Sequence, residues 1–312
     1  MTASAPFPWF GGKSRVADVV WRRFGDVPNY VEPFFGSGAV LLGRPHDPRT
    51  ETVNDKDGFV CNFWRAVQHD AEAVAHYADN PVNENDLHAR HAWLVPQRDD
   101  LTARLEGDPD YHDAKIAGWW VWGLCCWIGS GWCSGKGPWS VDSETRQLVR
   151  LGSDQGVNRQ LAHLGSVRGV NRQLALVEWM QALSDRFQRV RVCCGDWSRV
   201  VTHTPTWGLA VTAVFLDPPY SHDEYDVGVY SVDDAGLSDA VREWAIENGD
   251  NPLLRIALCG YEGEHTMPAS WLVHAWKASG RYRASGNHTR ECVWFSPHCL
   301  ASDRPVQLGF DS

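Results

Sequence analysis

Six short apolar runs, each closing on loop-forming residues, do most to fix what this chain can fold into. They occupy residues 30–31 before EPFFGSG, 51–53 before NDKD, 190–194 before GDW, 213–216 before DPPY, and then 253–259 and 292–295. Stretches with helical spacing lie between them, at 14–24, 59–69, 174–187 and 238–248. Strands alternating with helices predict an α/β fold built on a doubly wound sheet, in which ligands gather at the carboxyl ends of the strands. Four polar motifs of the chain begin at such ends.

The pattern changes between residues 62 and 180. An acidic, His-rich helical stretch leads into a Gly- and Trp-rich tract, residues 118–139, that holds six of the seventeen tryptophans. Trp119, Trp122 and Trp127 read as the buried face of a core helix. Residues 129–138 carry too much glycine for a helix and read as a loop near the substrate, with Lys136 available to a phosphate. A short repeat follows, LGSDQGVNRQLA at 151–162 and LGSVRGVNRQLA at 164–175. Two copies are too few for a solenoid, and they read as two similar turns on one surface. The expected organisation is a sheet domain in two parts, 1–61 and 181–312, with a mainly helical and loop region inserted at 62–180.

Charge supports a role for that region. The whole chain has a net charge of -10, which taken alone argues against a nucleic-acid partner. Residues 145–199 run the other way, with nine arginines, no lysine and four acidic residues. Arginine's planar fork suits phosphates and guanine edges, so Arg159, Arg168 and Arg172 are candidate DNA contacts, and a solvated basic face is the competing reading. The nine cysteines lack the paired spacing of a zinc site and read as reduced, mostly buried thiols of a cytoplasmic protein. Cys125, Cys126 and Cys133 would converge poorly on one metal ion. No secretion signal and no run of about 18 apolar residues is present, so membrane insertion is not expected.

The motif with the most chemistry is Asp217-Pro218-Pro219-Tyr220, directly after the apolar run AVFL. An aromatic amine is a poor nucleophile because its lone pair is delocalised into the ring. Asp217 can accept one amine hydrogen and the Pro218 carbonyl the other, which turns the lone pair towards a methyl donor. The prolines fix that carbonyl, and Tyr220 offers a face on which an extruded base can stack. The second motif is Glu32-Pro33-Phe34-Phe35-Gly36-Ser37-Gly38, where Gly36 and Gly38 permit a tight turn and Glu32 suits a cationic amino group. Asp55, at the third strand end, is placed to accept ribose hydroxyls. Asp196 and Trp197, at the fourth, could hold and cover an adenine ring. Singly, each of the last three has a plain structural explanation as a cap or a core aromatic, but four in order favour one nucleoside pocket.

These residues together resemble the Dam-type, D12-class family of DNA adenine methyltransferases, including phage-like members, in the arrangement with the recognition region between the cofactor and catalytic motifs. The opening Trp9-Phe10-Gly11-Gly12-Lys13 is similar to the family's W-x-G-G-K segment, which lies against the methionine part of the cofactor. The resemblance implies a Rossmann-like fold, S-adenosyl-L-methionine as cofactor and double-stranded DNA as substrate. It implies cofactor contacts from Trp9, Lys13, Glu32, Phe34, Gly36, Gly38, Asp55, Asp196 and Trp197, with Trp197 standing where Phe is usual. It implies catalysis by Asp217, Pro218, Pro219 and Tyr220. No metal is expected, because a sulfonium leaving group is already activated. N4-cytosine methylation and adenine methylation in RNA use the same amine chemistry, and a DNA-binding regulator on an inactive fold is the reading from another class.

Overall fold

The computed structural model describes residues 5–7, 9, 13–127, 132, 133, 139–141, 145, 147–150, 172–208, 210–220, 236–276 and 291–301. Its strands are β1 Asn29–Glu32, β2 Thr50–Asp55, β3 Trp139–Val141, β4 Leu148–Arg150, β5 Val190–Cys194, β6 Thr212–Leu216, β7 Leu254–Tyr261, β8 Leu272–Trp276 and β9 Glu291–Phe295. Among the described residues, seven of them form one sheet in the order β5-β2-β1-β6-β7-β9-β8. The pairs from β5 through β7 are parallel, and β9 runs antiparallel between β7 and β8. β3 and β4 pair separately.

Burial explains why apolar runs report the parallel strands. Every residue of β1 and β6 is buried, because helices cover both faces of the sheet. Side chains alternate between those faces: Tyr30, Ala213 and Phe215 enter one core, and Val31, Val214 and Leu216 the other. The helices are α1 Ala17–Phe24, α2 Ala39–Leu42, α3 Gly58–Ala78, α4 Glu84–Leu94, α5 Arg98–Gly107, α6 Ala114–Cys126, α7 Arg172–Phe187, α8 His203–Thr206 and α9 Leu237–Asn248. The first core takes in α1, α3, α6 and α7, and the second takes in α9 through Val241 and Ala245.

Three features depart from the sequence reading. The helix expected over 59–69 continues to Ala78: Asp70 leaves helical geometry at φ -146, ψ 51, and the helix resumes because Ala71, Val74, Ala75 and Ala78 are buried. β8, the edge strand paired antiparallel with β9, lies outside the six apolar runs. The expected boundaries after residues 61 and 180 both fall inside helices, α3 and α7, which pack against one another.

Of the tryptophans assigned to a core helix, Trp122 and Trp127 are buried. Trp119 is partly exposed, with the Lys115 ammonium 4.4 Å and the Arg90 guanidinium 5.2 Å from its ring centre. Gly118 brings α6 close to α3. A Cβ there would stand 2.4 Å from the Tyr77 Cβ and 2.8 Å from the Val74 carbonyl oxygen. Gly118→Ala is therefore expected to lower stability: overpacking of about 1–3 kcal/mol outweighs the roughly 1 kcal/mol that alanine contributes to a helix. Thermal unfolding measures it, and a stabilised variant would contradict the close approach.

Arg186, counted within the basic stretch, is not a surface charge. Its guanidinium grips the buried Glu51 carboxylate at 2.6 and 2.9 Å, and Arg44 holds the same group at 3.0 Å. The ion cluster pins α7 and the chain after α2 to β2. Arg189, Arg191 and Arg199 are exposed.

Candidate active site

The strand order reverses between β1 and β6, since β2 lies on one side of β1 and β6 on the other. The chain segments leaving the carboxyl ends of β1 and β6 diverge there, which is where an open α/β sheet binds ligands. The first is the Glu32–Gly38 segment and the second is Asp217–Tyr220.

The β1 turn is built from glycine geometry and side-chain ties. Gly36 and Gly38 have φ of 49° and 69°, and a Cβ on Gly36 would lie 2.4 Å from Trp9 Nε1, so Trp9 rests directly on this turn. Asp55 accepts the Gly36 N–H on one carboxylate oxygen and the Asp57 N–H on the other, both at 2.9 Å. Trp64 Nε1 donates to the Gly36 carbonyl at 2.9 Å. Asn54 donates from its amide to the carbonyls of Pro33, at 3.1 Å, and Gly195, at 3.0 Å. The ends of β1, β2 and β5 are thereby locked together.

Electrostatics in this pocket favour a cation. Burial pushes the Glu32 carboxyl well above the usual carboxylate range; the Tyr30 hydroxyl, donating at 2.7 Å, opposes this, and the charges of Asp217 and Asp55 add to it. Burial also raises Asp55 to about 6 against its backbone N–H bonds from Asp57, Gly36 and Lys56. On the β5 side Asp196 caps a short 3-10 turn, accepting the Ser198 N–H at 2.9 Å. The Trp197 ring lies near-parallel to Phe34 at 6.0 Å and meets Trp244 edge-on at 6.3 Å.

Across the switch point, Asp217 is enclosed by donors. The Lys13 ammonium sits 3.0 Å from Asp217 Oδ2, and the Tyr220 hydroxyl donates to Asp217 Oδ1 at 3.0 Å. Lys13 is itself buried, 3.5 Å from Glu291 Oε2 and 5.3 Å from the Tyr220 ring centre. Burial alone would weaken its hold on a proton, but the charges of Asp217 and Glu291 more than offset this and keep Lys13 cationic. Tyr220 is braced edge-on by Tyr261 at 4.6 Å.

The sequence-derived residues therefore fall into three groups around one switch point. Trp9, Gly36, Gly38 and Asp55 meet at the turn; Phe34 meets Trp197; Lys13 meets Asp217 and Tyr220. Lys13, expected with Trp9 on the cofactor side, points its ammonium at the Asp217 carboxylate. Tyr30, Tyr261 and Glu291 join the site without a sequence signal, and the Glu291 carboxylate on Lys13 carries no motif that would flag it. Lys136, Arg159 and Arg168 lie outside the described residues, as do Gly11, Gly12 and the side chain of Arg172. Among the described residues no cluster of three His, Cys, Asp or Glu side chains is arranged to hold a metal ion, and no helix is long and apolar enough to cross a membrane.

The first part of this site carries a family signature. Residues 9–102 match the family model for D12 class N6 adenine-specific DNA methyltransferase. A DNA N-6-adenine-methyltransferase of Escherichia phage P1 is 30% identical over 100 residues, a stretch that covers 30% of this chain and 13% of that relative. The chain thus spans about an eighth of the length of the curated relative it matches. The D12 match takes in Trp9, Lys13, the Glu32–Gly38 turn and Asp55. Asp196, Trp197 and Asp217–Tyr220 lie beyond it and stand on their own geometry.

Proposed function

We propose that this chain transfers a methyl group from S-adenosyl-L-methionine to the N6 amine of adenine in double-stranded DNA. The observation that carries the reading is the position of Asp217-Pro218-Pro219-Tyr220 at the β6 end, directly across the switch point from the Glu32–Gly38 turn that lies in the D12-matching segment.

The residues present fit the cofactor on the chemistry of their donors. A desolvated Glu32 carboxyl with Asp55 nearby is the surrounding a net-positive ligand requires. Glu32 would hold the ammonium, Asp55 the ribose hydroxyls, and Asp196 with Trp197 and Phe34 the adenine, while Trp9 covers the turn. When bound, S-adenosylmethionine supplies a methyl group already activated by its sulfonium. Asp217 accepts one hydrogen of the target amine, the Pro218 carbonyl accepts the other, and Pro219 fixes the backbone that presents it. Tyr220, braced by Tyr261, stacks on the extruded base. The proton that the nitrogen sheds on methylation leaves along its hydrogen bond to Asp217.

Two expected results arise here. Burial holds the Glu32 carboxyl well above the usual carboxylate range, so an arriving ammonium should draw its proton off. Cofactor affinity should therefore rise with pH until the free carboxyl is already ionised. Calorimetry near neutral pH in buffers of different ionisation enthalpy should report proton release, and Glu32→Gln should abolish it; buffer-independent heats would contradict the assignment. Arg159 and Arg172, with Arg168 and Lys136, are proposed to contact DNA phosphates from the recognition region within 62–180. Changing Arg159 and Arg172 to Ala should lower the slope of log affinity against log salt by roughly one unit per lost contact. An unaltered slope would return them to a solvated face.

We place the protein in the cytoplasm, where buried thiols such as Cys61, Cys133 and Cys259 stay reduced. The reading is tested by incubating the protein with methyl-labelled cofactor and either duplex DNA or RNA. Label in DNA is expected; label in RNA alone, or in neither, would overturn it.

A further inference from the structure

Both oxygens of the Asp217 carboxylate are engaged by donors of the chain itself: Tyr220 on Oδ1 and the Lys13 ammonium on Oδ2, each at 3.0 Å. A target amine that is to donate to Asp217 has to share or displace one of them. Tyr220 can turn its hydroxyl away as its ring takes up a base. Lys13 has no such freedom, because it is almost completely buried and an ammonium left without a carboxylate there is costly.

The second carboxylate on Lys13 removes that difficulty. Glu291 Oε2 lies 3.5 Å from the same nitrogen, and Glu291 is also buried. Its position is fixed by the sheet: as the first residue of β9 it is in register with Tyr261 of β7 on one side and Trp276 of β8 on the other. The neighbouring groups are the Tyr220 ring and the Cys259 thiol, which burial keeps neutral. Within reach of the Lys13 ammonium are thus two carboxylates at unequal distance, the nearer on the motif that meets the base and the farther on a rigid strand.

We propose that Glu291 is a positioning residue that takes over the Lys13 ammonium when the amine of the target base takes its place on Asp217. No bond is made or broken in this step. The ammonium moves from its short contact with Asp217 to a short contact with Glu291, and Oδ2 is freed for the amine while a cation stays beside the site. The inference rests on the reading of Asp217 as the acceptor of the target amine.

The test is a double-mutant cycle in single-turnover methyl transfer to duplex DNA, using the wild type, Glu291→Gln, Lys13→Met and the double variant. Cofactor affinity by calorimetry and thermal unfolding accompany each rate. Glu291→Gln should slow transfer roughly 10- to 100-fold, the scale of one hydrogen bond to a charged group, with cofactor affinity unchanged within about twofold. Glu291→Asp should recover part of the rate, and serves in place of Glu291→Gln if that variant does not fold. In the Lys13→Met background the Glu291 change should have no further effect, since no ammonium remains to be received. An equal loss in both backgrounds, or a loss of rate that tracks cofactor affinity and melting temperature, would overturn the proposal. An inactive wild type would overturn the underlying reading with it, whereas an active wild type with an additive cycle would overturn this proposal alone.

Discussion

Asp217→Ala is expected to reduce methyl transfer at least about 100-fold while leaving S-adenosylmethionine affinity within about twofold. The expectation follows from where Asp217 sits. Its carboxylate meets Lys13 and Tyr220 on the β6 side of the switch point, whereas the Gly36 turn, Asp55 and the Phe34–Trp197 pair, proposed to hold the cofactor, stand on the other strand ends. Removing it takes away an acceptor for the amine and leaves the hydrogen bonds and ring contacts of that half in place. The Lys13 ammonium retains Glu291 as a partner, so the fold has a counter-charge in reserve. Asp217→Asn serves as the control: it keeps volume but offers one acceptor oxygen where the carboxylate offers two. A labelled-methyl assay paired with calorimetry separates the two effects. Activity above about one per cent of wild type would remove Asp217 from catalysis, and a matching loss of cofactor affinity would move it to the cofactor's side of the pocket.

The largest effect on stability is expected at Glu51. Its side chain is 1% exposed, that of Arg44 is equally buried, and Arg186 adds a two-pronged contact. Arg44 also donates to the Val27 carbonyl and lies 3.6 Å from the exposed Asp26 carboxylate, a longer contact than that to Glu51, while Arg186 donates to the Leu41 carbonyl. Glu51→Ala strips the shared carboxylate from two cations, one of which has no route to water. Breaking a buried ion pair in this way costs about 3–5 kcal/mol, against a total of about 5–15 kcal/mol for a typical domain. Denaturant titration measures the change. A loss below about 1 kcal/mol would mean that water reaches Arg44 and that the cluster is not sealed.

The basic-stretch reading of Arg186 shows where sequence reasoning stops. Nothing local separates Arg186 from Arg189 or Arg191; only the fold brings β2 beneath the end of α7 and supplies Glu51. Lys13 is a similar case, since its motif placed it at the site but could not say that its ammonium would meet Asp217 in place of a ligand. Glu291 carried no signal at all, because a carboxylate at the start of a strand looks like any other until Lys13 arrives beside it. By contrast the parallel strands were legible as apolar runs because both their faces are buried, and the switch-point motifs were legible because each needs particular residues at a strand end. β8 was not, because Leu272 and Val273 face outward on the sheet edge and break the pattern of a buried strand. The helix expected to end at residue 69 stopped at the Asp70 kink, beyond which burial against α6 restores it.

The central claim is that Asp217, Pro218 and Tyr220 present an exocyclic amine of adenine for methylation. The most direct measurement is nucleoside mass spectrometry of duplex DNA after incubation with the protein and S-adenosylmethionine. N6-methyldeoxyadenosine as the only new nucleoside is the predicted result, and N4-methyldeoxycytidine as the main product, or no methylated nucleoside at all, would contradict the account.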